Sequence, residues 1–315
     1  MTSPLISVII ATHNREELLP QAVQSILDQT LQDFEIIIVD DCSSDNTPNV
    51  IRALEEKDDR IRAIRSNQNI GPGAARNLGM ASAKGDYIAI MDDDDLSESE
   101  RFEREVSILN SDLDVMLVFS SVAWIDNDLK ITNTFPGLVV DGKFPADPEE
   151  VFRLLYLESN KIPNTTIMIR KPLWSKFKYP EFTWIGEDWY FFMQLAASSM
   201  KMRAIPSPLV RVRRGSEHEG LMKRSRESVF KAQRQILDRI KKWLSEEEIN
   251  NFNHLHRLAL SNQILRESRH HIGVKGLGMV FQAFLQTPTN PKVLQEVHWY
   301  LSKAREKTIT VFRHS

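Results

Sequence analysis

The chain has 315 residues, 42% hydrophobic and 26% charged, with one cysteine, Cys42; this excludes a disordered or fibrous chain and any internal disulfide framework, and points to a reducing compartment. The net charge of −3 is uneven: residues 221–315 hold 17 Lys+Arg against 8 Asp+Glu, and residues 1–220 hold 23 against 35. An acidic front half excludes nucleic acid as a substrate, because a phosphate backbone demands a basic face.

The first element, Leu5 to Ala11, is an apolar run ending in a polar turn, the pattern of a buried strand and not of a signal peptide. No run of about 18 apolar residues follows anywhere, so a cytoplasmic protein without a membrane span is expected. Asn14 and Glu17 have the spacing of a capping box before a helix carrying Leu19, Ala22, Val23 and Ile26 on one face. Glu35 to Val39 is short and β-branched, hence a strand; Asp45 can cap a helix running to about Lys57. A strand at Ile61 to Arg65, a glycine-rich turn, a helix over 74–83 and a strand at Tyr87 to Met91 complete the first hundred residues. Strands separated by helices imply right-handed crossovers and an α/β fold with a Rossmann-like, mainly parallel sheet sandwiched by helices. Ligands gather at the carboxyl ends of such strands, and Thr12-His13-Asn14, Asp40-Asp41 and Asp92-Asp93-Asp94-Asp95 all fall there.

Further on, Ser97 and Glu100 read as another capping box, Val115 to Ser120 and Asn164 to Arg170 as strands, and Glu187 to Ser199 as a helix. Met202 to Ile205 and Leu209 to Val212 read as two short strands. Beyond Leu221 only helical periodicity remains, which divides the chain into a domain over 1–220 and an all-helical extension over 221–315. Ile236, Ile240, Trp243 and Leu244 form one apolar stripe, and Leu255, Leu258 and Leu265 another. Such stripes pack against something: the first domain, a second copy of the chain, or a membrane bearing a lipid-linked acceptor. His270-His271, with no carboxylate or thiol nearby, reads as surface.

The acid run Asp92 to Asp95 is either a solvated loop or a cation site. Adjacent carboxylates repel, and hard oxygen ligands suit Mg²⁺ or Mn²⁺, which would neutralise a leaving diphosphate. Asp41 can accept from a nucleobase N–H or ribose hydroxyls. In the turn Gly71-Pro72-Gly73-Ala74-Ala75-Arg76-Asn77-Leu78-Gly79, Arg76 or Asn77 either reaches a nucleotide or braces the loop.

Taken together, Ala11-Thr12-His13-Asn14-Arg15, Val39-Asp40-Asp41-Cys42-Ser43-Ser44-Asp45, Gly73 to Gly79, Met91-Asp92-Asp93-Asp94-Asp95 and Gly186-Glu187-Asp188-Trp189, in this order, resemble family 2 glycosyltransferases with the A-type fold. The resemblance covers roughly residues 5 to 215 and implies an inverting transfer from a nucleotide diphosphate sugar, a UDP-sugar first among donors. The acceptor would be a saccharide or lipid-linked hydroxyl, in polysaccharide, glycoconjugate or cell-envelope synthesis. On this carry-over Asp188 is the general base, and Thr12, Asn14, Asp41, Arg76, Asp92 and Asp93 bind the nucleotide. Asp94 and Asp95 are the candidate ligands of Mn²⁺ or Mg²⁺. Glu187, Trp189, Arg213 and His218 are candidate acceptor or diphosphate contacts. Burial beside Trp184 and Trp189 would raise the pKa of Asp188, whereas its place near a helix N-terminus would lower it. The competing reading is a non-catalytic nucleotide-sugar-binding scaffold of the same fold, which needs no base. A nucleotidyltransferase would place its basic glycine-rich loop after the first strand, where Thr12-His13-Asn14-Arg15 stands instead.

Overall fold

A computed structural model describes residues 3–137, 143–158 and 160–213, with scattered helical positions between 231 and 295. The elements in order are β1 (Ile6–Thr12), α1 (Leu19–Leu27), β2 (Phe34–Asp40), α2 (Thr47–Lys57), β3 (Ile61–Arg65), α3 (Pro72–Ala81), β4 (Tyr87–Asp92), β5 (Leu96–Ser97), α4 (Arg101–Ser111), β6 (Val115–Ile125), β7 (Ile131–Phe135), α5 (Pro148–Glu158), a single 3-10 turn (Asn164–Thr166), β8 (Met168–Arg170), α6 (Lys171–Lys176), α7 (Glu187–Ala197) and β9 (Lys201–Arg213). The strands form one mixed sheet in the order β3-β2-β1-β4-β8-β6-β9-β5, and β7, off this path, pairs with β6. The expected parallel ladder is its first half, β3-β2-β1-β4. Beyond β4 the pairs are antiparallel except β6 with β9.

Burial on both faces explains the apolar runs Val8 to Ile10 of β1 and Ile36 to Val39 of β2. Side chains alternate along a strand, so Ile6, Val8 and Ile10 share one face and meet Leu19, Val23 and Ile26 of α1, Ile51 of α2 and Phe102, Val106 and Leu109 of α4 in one core. Ile9 points the other way, with Val39, toward α3. There a Cβ on Gly79 would sit 2.7 Å from a methyl of Ile9, so only glycine lets α3 lie this close to the sheet. Helices therefore cover both faces.

Four local readings differ from the structure. Asn14 does not cap α1, which begins at Leu19 without a side-chain cap. Instead Asn14 adopts φ 55° and its Oδ1 accepts the Ser44 N–H at 2.8 Å, bracing the turn after β2. Ser97 and Glu100 are no capping box either: Ser97 belongs to β5, paired with Val210, and α4 starts at Arg101. The two late strands are one, β9, whose pairing with β6 shifts register between Ser120 and Val122. Asn164–Thr166 is a helical turn and not the start of β8. Asp45 lies one residue before the cap position Asn46 and accepts the Thr47 N–H at 3.0 Å, bracing the head of α2.

The chain divides into two compact units, residues 1–155 with 160–222 and residues 156–159 with 223–315. The described positions of the second unit between 231 and 295 are helical, and Ile236, Ile240, Val280 and Ala283 among them are buried. Trp243, Leu244, Leu255, Leu258, Leu265 and His270-His271 lie outside the described residues. Among the described residues no helix is long and apolar enough to cross a membrane.

Candidate active site

Parallel pairing puts the ends of β2, β1 and β4 side by side. Thr12 is in register with Asp40, and Ala11 with Asp92, so the three polar clusters expected at a strand edge share it. The Thr12 carbonyl accepts the Asp41 N–H at 2.8 Å, closing the two turns against each other. The His13 ring is held by Nδ1 against the Asp41 carbonyl at 2.7 Å, a contact only an N–H can make; Nε2 then accepts from the amides of Asn14 and Asn69.

Asp40 and Asp41 serve different purposes. Asp40 is spent on structure, accepting the Ser43 N–H and pairing with Arg65. Asp41 is buried, and its two oxygens accept the N–H groups of Ile70 and Gly71 at 2.7 and 2.8 Å. Gly71 makes that bond from φ +86°, under the indole of Trp184, whose Nε1 would lie 2.3 Å from any Cβ there. Trp184 thus roofs the glycine turn and remains 36% exposed.

Arg76 ties the edge together. Its Nη2 donates to Asp92 Oδ1 at 2.9 Å and its Nη1 to Glu187 Oε1 at 2.8 Å, linking α3, the end of β4 and the start of α7. The guanidinium is buried, and the two carboxylates hold its pKa above the ordinary arginine value against the cost of burial. Asn77, one residue on, braces the same region by exchanging hydrogen bonds with the Tyr179 backbone. Of the two roles open to Arg76 and Asn77, the geometry matches bracing.

Asp188, the second residue of α7, follows Glu187 and lies close enough to Asp92 to feel its charge. Its Oδ1 accepts the Trp189 N–H at 2.7 Å and its Oδ2 the Asn160 amide at 2.6 Å. Low-dielectric surroundings and the adjacent Glu187 charge push its pKa up to about 7, against the pull of the Trp189 N–H and Arg76; Asp92 adds to the rise. Trp189, expected among the acceptor contacts, is instead a core residue. It is 3% exposed and its indole N–H donates to the Leu155 carbonyl at 2.8 Å. Glu187 is likewise turned to Arg76.

The four acids diverge. Asp92 pairs with Arg76; Asp95 is buried and accepts the Arg213 backbone N–H at 3.2 Å, which fastens the end of β9. Asp93 and Asp94 lie 3.5 and 3.6 Å from the Arg15 guanidinium. Burial first, then the Asp94 charge, pushes Asp93 up to about 7, while Thr12 and Arg15 hold it down. Burial and the charges of Asp94 and Asp92 likewise raise Asp95 well above the ordinary aspartate value. Crowded carboxylates with raised pKa values are a donor set short of positive charge, which fits a hard divalent cation. Among the described residues no three acidic, His or Cys side chains converge into a cage. Mg²⁺ and Mn²⁺ do not need one, since they take one or two carboxylates and complete their shell with substrate phosphate and water.

Arg213 reaches away from the acids, its Nη2 donating to Gln21 Oε1 at 2.7 Å; His218 lies outside the described residues. Arg15 and Asn160 were not singled out from sequence. Arg15 stood in plain view in the first motif, but nothing local marked Asn160.

The family model for glycosyl transferase family 2 matches residues 7–184. An uncharacterised glycosyltransferase of Methanocaldococcus jannaschii is 31% identical over 215 residues, 68% of this chain and 72% of the relative. Among solved structures, residues 1–349 of Staphylococcus aureus TarS in complex with UDP-GlcNAc superpose with TM-score 0.61 at 17% identity, covering 96% of this chain and 92% of that one. The mannosyltransferase PcManGT of Pyrobaculum calidifontis, in complex with GDP-Man and Mn²⁺, gives TM-score 0.58 at 17% identity, covering 98% and 88%. These likenesses show the A-type glycosyltransferase fold. With the family model spanning more than half its length, this chain belongs to glycosyl transferase family 2.

Proposed function

We propose that the chain is an inverting, divalent-metal-dependent glycosyltransferase that moves a sugar from a UDP-sugar to a hydroxyl of a saccharide or lipid-linked glycan. Its place would be polysaccharide, glycoconjugate or cell-envelope synthesis at the cytoplasmic side of a membrane. Residues 1–220 form the catalytic domain in this reading and 221–315 a helical extension. The observation that supports it is the double ion pair of Arg76, which ties the end of β4 to the head of α7, where Asp188 follows Glu187.

In the reaction the acceptor oxygen bonds to the anomeric carbon while the bond from that carbon to the diphosphate breaks, its electron pair leaving with the nucleotide. Asp188 takes the acceptor proton. A carboxyl with pKa about 7 is well matched to that task at neutral pH, being partly ionised yet basic enough to hold the proton. Attack opposite the leaving group turns an α-linked donor into a β-linked product. Asp41 receives the nucleobase N–H, each of its oxygens keeping a lone pair beyond the backbone bond it accepts. Thr12, Asn14, Asp92 and Asp93 line the rest of the nucleotide site. Mn²⁺ or Mg²⁺, held through Asp94 with support from its acidic neighbours, would supply charge neutralisation to the departing diphosphate. Arg15, already between Asp93 and Asp94, is a better placed cation for that diphosphate than Arg213.

The test is a turnover and binding screen across UDP-, GDP- and dTDP-sugars, with and without Mn²⁺, followed by NMR assignment of the product anomer. Metal-stimulated turnover to a β-linked product is expected. An α-linked product refutes inversion, and donor binding without turnover supports the scaffold reading.

A further inference from the structure

Asn160 is separated from Asp188 by 28 positions in sequence, yet its Nδ2 lies 2.6 Å from Asp188 Oδ2. An amide can be built either way round, so a contact of this kind needs its orientation fixed. Here the fixing is visible: the Asn160 Oδ1 accepts the Ile162 N–H at 3.0 Å, a side-chain turn that leaves only the nitrogen facing α7. Asp188 is thereby held at both oxygens, by the Trp189 N–H on Oδ1 and by Asn160 on Oδ2. Each oxygen retains a further lone pair.

We propose that Asn160 is a positioning residue for Asp188: the turn 160–162 aims the amide, and the amide fixes the carboxylate's rotation toward the acceptor hydroxyl. The inference rests on Asp188 as the base. A carboxylate on the first turn of a helix can rotate about two side-chain bonds, and a rotation of tens of degrees carries its oxygen out of reach of the acceptor. Rate depends steeply on such placement. The same bond is donated to the charged form, so it also favours ionisation. The other groups facing this carboxyl are Glu187 on α7, Arg76 on α3, Asp92 on β4 and Tyr179 in the preceding loop. Of these only Arg76 also favours the charged state.

Two substitutions separate the amide's donation from the turn that supports it. Asn160→Asp keeps an oxygen for the Ile162 N–H but cannot donate to Asp188; Asn160→Ala removes both. The readouts are the Asp188 carboxyl ¹³C titration, assigned through its loss in Asp188→Asn, and donor hydrolysis of UDP-GlcNAc with Mn²⁺ against pH. Both Asn160 variants are expected to raise the Asp188 pKa by about one unit or more, the Asp variant most, because it adds a like charge. At high pH, where the base is ionised again, hydrolysis should still be down by about tenfold or more in kcat with KM little changed. An unchanged Asp188 titration in Asn160→Asp overturns the inference, and so does full kcat on the high-pH plateau. A fall equal at every pH, with an unshifted titration, reads as damage to the fold and also overturns it. If Asp188→Asn itself hydrolyses the donor at the wild-type rate, the base assignment fails; the titration still reports whether Asn160 holds the carboxyl.

Discussion

Replacing Arg76 by Met keeps most of the side-chain volume and removes the charge that joins three elements. Removing one partner of a buried ion pair costs about 3–5 kcal/mol, because the other charge is left unpaired in a poor solvent. Here the loss is uneven. The Asp92 side chain is 33% exposed, so water screens its half of the pair, whereas that of Glu187 is 8% exposed and is stranded. The lower end, about 3 kcal/mol, is therefore expected, and a unit of some 200 residues loses about 2–4 °C per kcal/mol, giving a melting temperature lower by roughly 6–12 °C. A second effect acts on Asp188. Arg76 holds its pKa down, so the variant's carboxyl should climb above 7 and the pH–rate profile should shift alkaline. Lys at this position offers a point charge that reaches one carboxylate, so it should recover part of the stability and little of the profile. Thermal melts together with donor turnover from pH 6 to 9.5 measure both. A Met variant with the wild-type melting temperature and an unmoved profile would refute the claim that this guanidinium organises the site.

Wild-type turnover should rise with pH through about 7 as Asp188 ionises. The sign for stability is opposite. Between the unfolded value of 3.8 and about 7 the native state keeps a proton that the unfolded chain has released, so stability falls over that window as pH rises. Asp188→Asn removes the penalty and should stabilise the protein by about 1–2 kcal/mol at pH 8, after discounting for its partial exposure to solvent, in urea titrations. An Asn variant less stable than wild type at pH 8 would contradict the raised pKa. Gly71→Ala forces a Cβ into the Trp184 indole at a φ of +86°, which should disturb the Gly71 bond to Asp41 and weaken UDP binding by about tenfold; strain of this kind costs about 1–3 kcal/mol. Calorimetric titration of UDP with Mn²⁺ checks it, and an unchanged affinity would remove Asp41 from the nucleotide site. Arg101 is fully buried against Glu105 and donates to the carbonyls of Ile90 and Ile167 behind the acid run. Arg101→Met should cost about 3–5 kcal/mol in urea unfolding, and a shift below 1 kcal/mol would show that this pair is dispensable.

The first hundred residues could be read closely because each element carries its own period. Val8 to Ile10, Ile36 to Val39 and Tyr87 to Met91 are apolar without interruption, since both sheet faces are covered. The three strand ends followed from that reading alone. What failed was local signature without tertiary context: Asn14 and Glu17 have capping-box spacing, but Asn14 is taken by the turn at Ser44. Ser97 was claimed by a two-residue strand whose partner, Val210, is more than a hundred positions away. The same distance hid the site's wiring. Arg76 was recognised as a residue of interest, yet its two carboxylate partners lie 16 and 111 positions away, and no periodicity reports such a pairing. Asp188 entered through a family resemblance, and Asn160 through the coordinates. Trp189 illustrates the converse: beside the Glu-Asp pair it reads as an acceptor or diphosphate contact, but its helical phase turns it into the core.

The most direct test compares single-turnover donor cleavage by the wild type and by Asp188→Asn, at pH 8 with Mn²⁺, beside UDP affinity measured in the same buffer. The account predicts a rate lower by at least about a hundredfold with the affinity for UDP unchanged. Cleavage by the Asn variant at the wild-type rate would contradict it.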